Sequence, residues 1–158
     1  MRSAIINSQF EFPCRKITVN LAPADLPKMG SGFDLPIAIG ILAASGQISA
    51  KKLSDHEFIG ELALNGQLRG ISGIIPVVLA ARRDQETIII ASANSEEASL
   101  AGGDLVYTAD NLRAVCSYLC QDTPLLKLPE RPKTIRDDQH VDWSDVKGQK
   151  HAKHAMEI

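Results

Sequence analysis

The stretch from Gly73 to Ala91, GIIPVVLAARRDQETIIIA, decides the fold because it joins two strong and different patterns. Its first part, Gly73 to Arg83, predicts an apolar helix with Arg82 and Arg83 near its end, where cations suit the helix dipole. Its last part, Glu86 to Ala91, is a short β-branched run that predicts a fully buried strand. A helix followed closely by a buried strand indicates a fold of the α/β type.

A hairpin is predicted before this stretch, centred on the dipeptide Asn65-Gly66. Its arms are Glu57 to Ala63 and Gln67 to Ile71, and Asn-Gly tolerates the positive φ angles of a tight turn. Further upstream, Asp34 to Ser45 predicts a second apolar helix. We expect Asp34 to be its N-cap and both of its faces to be covered, because the run is apolar almost all round.

The remaining segments also alternate between strand and helix patterns. Lys16 to Leu21 (KITVNL) alternates apolar and polar residues and predicts a half-buried strand. Further helices are predicted over 3–8, 95–101 and 110–120, and a further strand over 105–108. Together these elements predict an α/β (α+β) fold, in which helices pack on a mixed sheet.

The composition excludes several classes of protein. The 158 residues carry a formal net charge of −2, with 44% hydrophobic, 23% charged and 4% aromatic residues. These values exclude a disordered chain, a collagen-like repeat and a coiled coil. Three cysteines form no even-numbered disulfide framework, and the longest apolar run, Leu35 to Ala44, is too short to span a membrane. We therefore expect a cytoplasmic protein.

No complete catalytic or metal-binding motif is present in the sequence. The run KMGSGFD contains a G-x-G, which fits a tight turn or an anion site, but no G-x-x-x-x-G-K-[ST] phosphate loop occurs. The pairs Cys116/Cys120 and His151/His154 lack two further ligands at usable spacing, so no metal site is expected.

Basic residues offer a candidate binding face. The near-neutral net charge argues against a globally basic nucleic-acid binder and leaves a local patch open. Such residues fit either a DNA contact or an ordinary solvated edge. The candidates for DNA contact are Arg15, Lys16, Arg69, Arg82 and Arg83.

Long segments of the chain closely resemble the ComM/YifB family, the magnesium-chelatase-like AAA+ ATPases. They are ITVNLAPADLPKMGSGFDLPIAIGILAASGQI (Ile17 to Ile48), FIGELALNGQLRGISGIIPVVLAAR (Phe58 to Arg82) and DWSDVKGQKHAKHAMEI (Asp142 to Ile158). The resemblance implies an amino-terminally truncated Lon-protease-like domain over 1–120, in the ribosomal-protein-S5 domain-2-like fold. It further implies a linker over 121–140 and the truncated start of an AAA+ module over 141–158.

The resemblance also implies roles for single residues. The serine and lysine of the Lon-type dyad fall on Gly32 and about Val77, which supply neither a nucleophile nor a base. We therefore expect a domain without catalytic residues, in which Asp34 is structural. The edge of an adenine pocket in the full-length protein falls on Val146, Lys147 and Gly148.

For the full-length protein, the resemblance implies a hexameric ATPase that uses ATP and Mg²⁺ and promotes DNA branch migration in natural transformation. This domain is then expected to serve subunit packing and contact with DNA or a partner, without hydrolysing ATP itself. Two alternatives stay open: a subunit of a magnesium-chelatase-type ATPase and a Lon-type Ser-Lys peptidase.

Overall fold

A computed structural model describes residues 1–22, 31–121, 123–128 and 147–149. Helices and strands alternate along most of this part of the chain. The helices are α1 (Arg2–Asn7), α2 (Asp34–Ala44), α3 (Ile74–Asp84), α4 (Ser95–Ser99) and α5 (Leu112–Gln121). The strands are β1 (His56–Ile59), β2 (Glu61–Leu62), β3 (Leu68–Arg69), β4 (Thr87–Ala91), β5 (Val106–Ala109) and β6 (Leu126–Lys127).

Four strands form a mixed sheet in the order β1-β4-β5-β6. β1 and β5 flank β4 in parallel, with Phe58 opposite Ile89 and Ile89 opposite Tyr107, while β6 runs antiparallel to β5. Each parallel connection is made through a helix, as parallel strands require. The architecture confirms the predicted mixed sheet with helices packed on it.

The two faces of the sheet bury two separate apolar clusters. Ile89 lies in the cluster that includes α2 and α5, whereas Ile88 and Ile90 lie in the cluster that includes α3 and α4. This division follows from the strand period, since successive side chains point to opposite faces. The continuous apolar run of β4 therefore reflects burial on both faces, as the sequence predicts.

The predicted hairpin is present but shorter than its predicted arms. β2 and β3 pair through Leu62 and Leu68, and the loop between them contains Gly66 with φ 85°. A Cβ atom at position 66 would collide with the hydroxyl of Ser8 in addition to the strain of its positive φ. The first predicted arm is broken at Gly60, whose N–H donates to the carbonyl of Gly32, so β1 belongs to the large sheet.

The predicted strand over Lys16–Leu21 is wrong. These residues are described, and they belong to no strand of the described part of the chain. Ile17 and Val19 are 37% and 48% exposed. An alternating pattern becomes a strand only where a neighbouring strand accepts its hydrogen bonds, and the described part of the chain provides none here.

Two further expectations, both about helix α2, are wrong. Its N-cap is Phe33 and carries no side-chain capping bond, so Asp34 is the first helical residue and not the cap. Asp34 instead accepts a hydrogen bond from the backbone N–H of Leu62 through Oδ2, at 3.3 Å. The expectation that both faces of α2 are covered is also wrong, because Gly40 is exposed and Ile37 only partly buried.

The sheet continues past residue 120 into the segment predicted as a linker. β6 pairs with β5 through Leu126, and Leu128 is buried against the cluster under α3. The segment is polar overall, so its composition does not reveal that Leu126–Lys127 forms the edge strand β6. None of the helices that the structure describes has both the length and the hydropathy of a membrane-spanning segment.

Candidate nucleic-acid interface

The cations at the end of α3 are already engaged by neighbouring groups. Arg82 donates through Nη1 to the carbonyl of Ala101. Arg83 donates through Nε to Oδ1 of Asp84 at 3.0 Å. This hydrogen bond raises the pKa of Arg83 and lowers the pKa of Asp84. The charge of Arg83 is therefore largely compensated where it stands.

Further carboxylates lie close to this end of α3. The pKa of Glu57 is raised, first by burial and then by the negative charges of Glu86 and Asp84. Carboxylates that lie close enough to raise the pKa of a neighbouring glutamate also create a negative local potential. A DNA phosphate is disfavoured at such a place, even though two arginines mark it in the sequence.

Arg69 is paired as well. It extends from β3, and its Nη1 lies 3.6 Å from Oε1 of Glu61 on the neighbouring strand. The Arg69 side chain is 67% exposed, so this pair contributes little to stability. It nevertheless places a carboxylate beside the cation, which weakens its attraction for an anion.

Arg15 and Lys16 have different surroundings. Both are exposed and lie in the irregular segment that follows α1. They line a hollow of about 630 Å³ beside α2, the Arg15 hollow. It is lined by Glu11, Pro13, Cys14, Arg15, Lys16, Ile17, Thr18, Ile41, Ala44, Ser45 and Gln47. Among the described residues that line it, two are cations and one is a carboxylate.

A second hollow of about 310 Å³, the Arg113 hollow, shares Gln47 with the first. It is lined by Ser8, Gln9, Phe10, Gln47, Ile48, Arg113, Cys116, Ser117, Cys120 and Gln121. Arg113 donates through Nη1 to Oε1 of Gln9. Among the described lining residues, Arg113 is the one that carries a formal charge. Sequence reasoning missed it because it stands alone; its place on the polar side of the amphipathic helix α5 was the available signal.

The five cations predicted from the sequence thus lie in three parts of the chain: the segment after α1, strand β3 and helix α3. The structure leaves Arg15 and Lys16 on a surface with excess positive charge, and it brings Arg69, Arg82 and Arg83 against acceptors. The contacts therefore distinguish Arg15 and Lys16 from the other three residues, and DNA contact by any of the five stays a prediction.

The positions that match the Lon-type dyad lie in apolar surroundings. A Cβ atom on Gly32 would lie 3.3 Å from Cγ1 of Ile59 and 3.4 Å from Cδ1 of Ile71. Val77 packs against the same cluster as both of these isoleucines. A serine at position 32 would therefore meet hydrocarbon, with no base at position 77 to activate it.

The cysteines differ in exposure and show no metal-ligand arrangement. Burial raises the pKa of the Cys116 thiol to about 12, which makes it unreactive at neutral pH. Cys14 and Cys120 are exposed, and all three are free thiols. Among the described residues, no group of three or more metal-binding side chains occurs. Lys147 and Gly148 are exposed, whereas Val146 lies outside the described residues.

Comparisons with a family model and with curated proteins agree on the family to which this chain is similar. Residues 1–94 match the family model described as subunit ChlI of Mg-chelatase. The whole chain is 47% identical, over 165 residues, to the competence protein ComM of Haemophilus influenzae, and covers 32% of that protein. It is likewise 47% identical over 158 residues to the uncharacterized protein YifB of Escherichia coli, of which it covers 31%. An uncharacterized protein of Mycobacterium bovis is 34% identical over 159 residues. The chain thus spans about a third of the length of the curated relatives it matches.

Proposed function

We propose a function from one premise: this chain belongs to the family of subunit ChlI of Mg-chelatase and, within it, to the ComM/YifB proteins. The proposal is that it forms a non-catalytic domain of a ComM-type AAA+ ATPase that remodels DNA. In this proposal the full-length protein is a cytoplasmic hexamer that promotes branch migration in natural transformation. The domain contributes subunit packing and contact with DNA or a partner.

The observation that supports this proposal most strongly is the likeness to ComM over every part of the chain. The structure adds support, because the positions that match the Lon-type dyad are Gly32, against Ile59 and Ile71, and Val77. A domain without those groups is better suited to binding than to peptide hydrolysis.

ATP and Mg²⁺ belong, in this proposal, to the remainder of the longer protein. The 158 residues contain no G-x-x-x-x-G-K-[ST] loop, so they do not fit a triphosphate and no step of hydrolysis is assigned to them. Val146, Lys147 and Gly148 would supply at most the edge of an adenine pocket.

A chimera tests the proposal directly. These 158 residues would replace the matching third of ComM in Haemophilus influenzae, and transformation frequency would be measured in a strain without other ComM. We expect a frequency near that of the parent. A chimera present at the parental level that transforms no better than ComM lacking this third would contradict the proposal.

A second candidate function is favoured by the family description, which names Mg-chelatase. In that case the full-length protein would act as the ATPase subunit in the insertion of magnesium into a porphyrin. The two functions are separated by assaying Mg²⁺ insertion with the other chelatase subunits. Insertion above the background without this protein would favour the chelatase.

A further inference from the structure

Exposed arginines in the described part of the chain differ in the groups that accompany them. Arg83 and Arg69 each lie against a carboxylate, at 3.0 Å and 3.6 Å. Arg113 donates to the neutral amide of Gln9, and no carboxylate belongs to the described lining of its hollow. A cation with a neutral partner keeps its full charge available to an anion.

The two hollows with excess positive charge are neighbours. Gln47 lines both, and it is fixed by a reciprocal pair of hydrogen bonds with the backbone of Glu11. Its Oε1 accepts from the Glu11 N–H and its Nε2 donates to the Glu11 carbonyl, each at 2.8 Å. This pair of bonds holds the chain beside Arg15 and Lys16 next to the end of α2. The two hollows therefore form one surface with Arg113 on one side of Gln47 and Arg15 and Lys16 on the other.

We propose that this surface, the Gln47 surface, binds the phosphodiester backbone of DNA, with Arg113 as its principal contact on one side of Gln47 and Arg15 and Lys16 as further contacts on the other. The inference rests on the proposed function and assigns its DNA contact to one place. Arg69, Arg82 and Arg83 are then left outside the contact, although the sequence alone offers all five predicted cations equally.

The chemistry of the surface suits a phosphodiester. A guanidinium matches two phosphate oxygens with a planar pair of donors, and amide and hydroxyl donors contact DNA phosphates in the same way. Donors of this kind surround Arg113, in the side chains of Gln9, Ser117 and Gln121. Contacts to phosphates carry no sequence information, so we expect binding that is sensitive to salt and indifferent to sequence.

The first experiment measures how DNA affinity depends on salt. The 158-residue chain and its variants would be titrated with one DNA duplex and with one of its single strands, at several salt concentrations. Arg113→Gln should reduce the slope of log affinity against log salt by about one unit, as the loss of one phosphate contact does. The double variant Arg15→Gln/Lys16→Gln should reduce it further, and Arg113→Lys should keep it near the original value.

Arg83→Gln is the matched control. It removes an exposed arginine of the same charge whose Nε donates to the carboxylate of Asp84 at 3.0 Å, so the salt slope should not change. Thermal melts of each variant would show that exposed Arg113 and Arg83 are replaced without unfolding the chain. A slope that falls equally for Arg83→Gln and Arg113→Gln would overturn the assignment to the Gln47 surface.

The native cysteines provide an independent footprint. Cys14 lines the Arg15 hollow and Cys120 the Arg113 hollow, and both are exposed thiols. Bound duplex should slow the alkylation of both by iodoacetamide, as measured by mass spectrometry of the modified peptides. Buried Cys116, whose pKa is about 12, should react slowly with and without DNA, so its modification would indicate unfolding.

The outcomes separate the surface from the function. If the chain binds no DNA at low salt, or if DNA leaves the alkylation of Cys14 and Cys120 unchanged, the Gln47 surface is wrong. If the ComM chimera supports transformation while Arg113→Gln leaves the salt slope unchanged, the function stands and the surface falls. If Arg113 carries the salt dependence but the chimera fails, the surface stands and the proposed function falls.

Discussion

Two short runs of this protein, Thr87–Ala91 (TIIIA) and Ile17–Leu21 (ITVNL), have similar strand-forming residues but different structures. The first is β4, which is paired on both sides and buried on both faces. The second is exposed along its whole length and belongs to no strand of the described part of the chain. The difference shows that β-branched composition favours a strand, whereas the presence of a neighbouring strand to pair with decides whether the strand forms.

The largest expected effect is a loss of stability when a buried residue of the first run, and not an exposed residue of the second, is truncated. Ile89 is completely buried between the helices that cover its face, so Ile89→Ala should lower the free energy of unfolding by about 2–5 kcal/mol. Val19 is 48% exposed, and Val19→Ala should cost less than about 0.5 kcal/mol. Urea unfolding of both variants measures the difference. Equal losses would mean that the Ile17–Leu21 run is packed as tightly as β4.

The next largest loss of stability is expected at Asn94. Its side chain hydrogen-bonds the backbone of Ile71, which lies outside the strands that the structure describes. Ile71 donates its N–H to Oδ1 of buried Asn94 at 2.9 Å, and its carbonyl accepts from Nδ2 at 2.8 Å. Asn94→Ala removes both partners and should cost about 1–3 kcal/mol. Asn94→Asp keeps the acceptor for the N–H but places a buried carboxylate oxygen against the Ile71 carbonyl, so its loss in urea unfolding at neutral pH should be at least as large. If Asn94→Ala lost as little stability as Val19→Ala, the Ile71 segment would be no more firmly held than the Ile17–Leu21 run.

A smaller effect is expected at Asp34, which links α2 to β2. Asp34→Ala should cost about 1 kcal/mol, because it removes the hydrogen bond to the Leu62 N–H and an acidic residue from the first turn of α2. Asp34→Asn retains an acceptor oxygen and should lose less. Thermal melts compare the two variants. An unchanged melting temperature for Asp34→Ala would show that this link contributes nothing to the fold.

The smallest effect is a pH dependence at Glu57 on β1, whose partner in register is Ile88 of β4. Folding raises the pKa of Glu57 through burial and then through Glu86 and Asp84. Ionisation is therefore less favourable in the folded state, and this carboxyl lowers stability as the pH rises from the ordinary carboxyl range through the raised pKa. Glu57→Gln should raise the melting temperature at neutral pH, and the gain should vanish near pH 4, about the ordinary pKa of a glutamate.

Asp104→Asn at an exposed position is the control for this pH dependence. The neutralisation there should not produce the same gain at neutral pH. If Glu57→Gln lowers the melting temperature at neutral pH, the carboxylate stabilises β1, which contradicts the expected direction.

Much of the fold could be predicted because its signals are local. α2 and α3 follow from continuous apolar runs, α5 from the spacing of Leu112, Val115 and Leu119, and the hairpin turn from Gly66. Each of these patterns acts within one helix or one turn. The role of Asp34 could not be predicted in the same way, because its carboxylate is used by Leu62, 28 residues away.

The candidate site was harder to predict from the sequence than the fold. Charge is visible in the sequence, but compensation of charge is not: Glu61 pairs with Arg69 across a hairpin, and Gln9 meets Arg113 from 104 residues away. Runs such as Arg82-Arg83 attract notice because they are adjacent, whereas Arg113 stands alone. Only the spatial arrangement shows that the isolated arginine has the less compensated charge.

By itself, the sequence determined the helices, the buried strand β4 and the resemblance to the ComM/YifB family, since these depend on patterns read along the chain. The tertiary structure decided that Ile17–Leu21 stays outside the sheet, that Leu126–Lys127 joins it, and that positive charge remains around Gln47. The physical reason is the same in each case. Strand pairing and charge compensation are properties of neighbours in space, and the chain brings those neighbours together from distant positions.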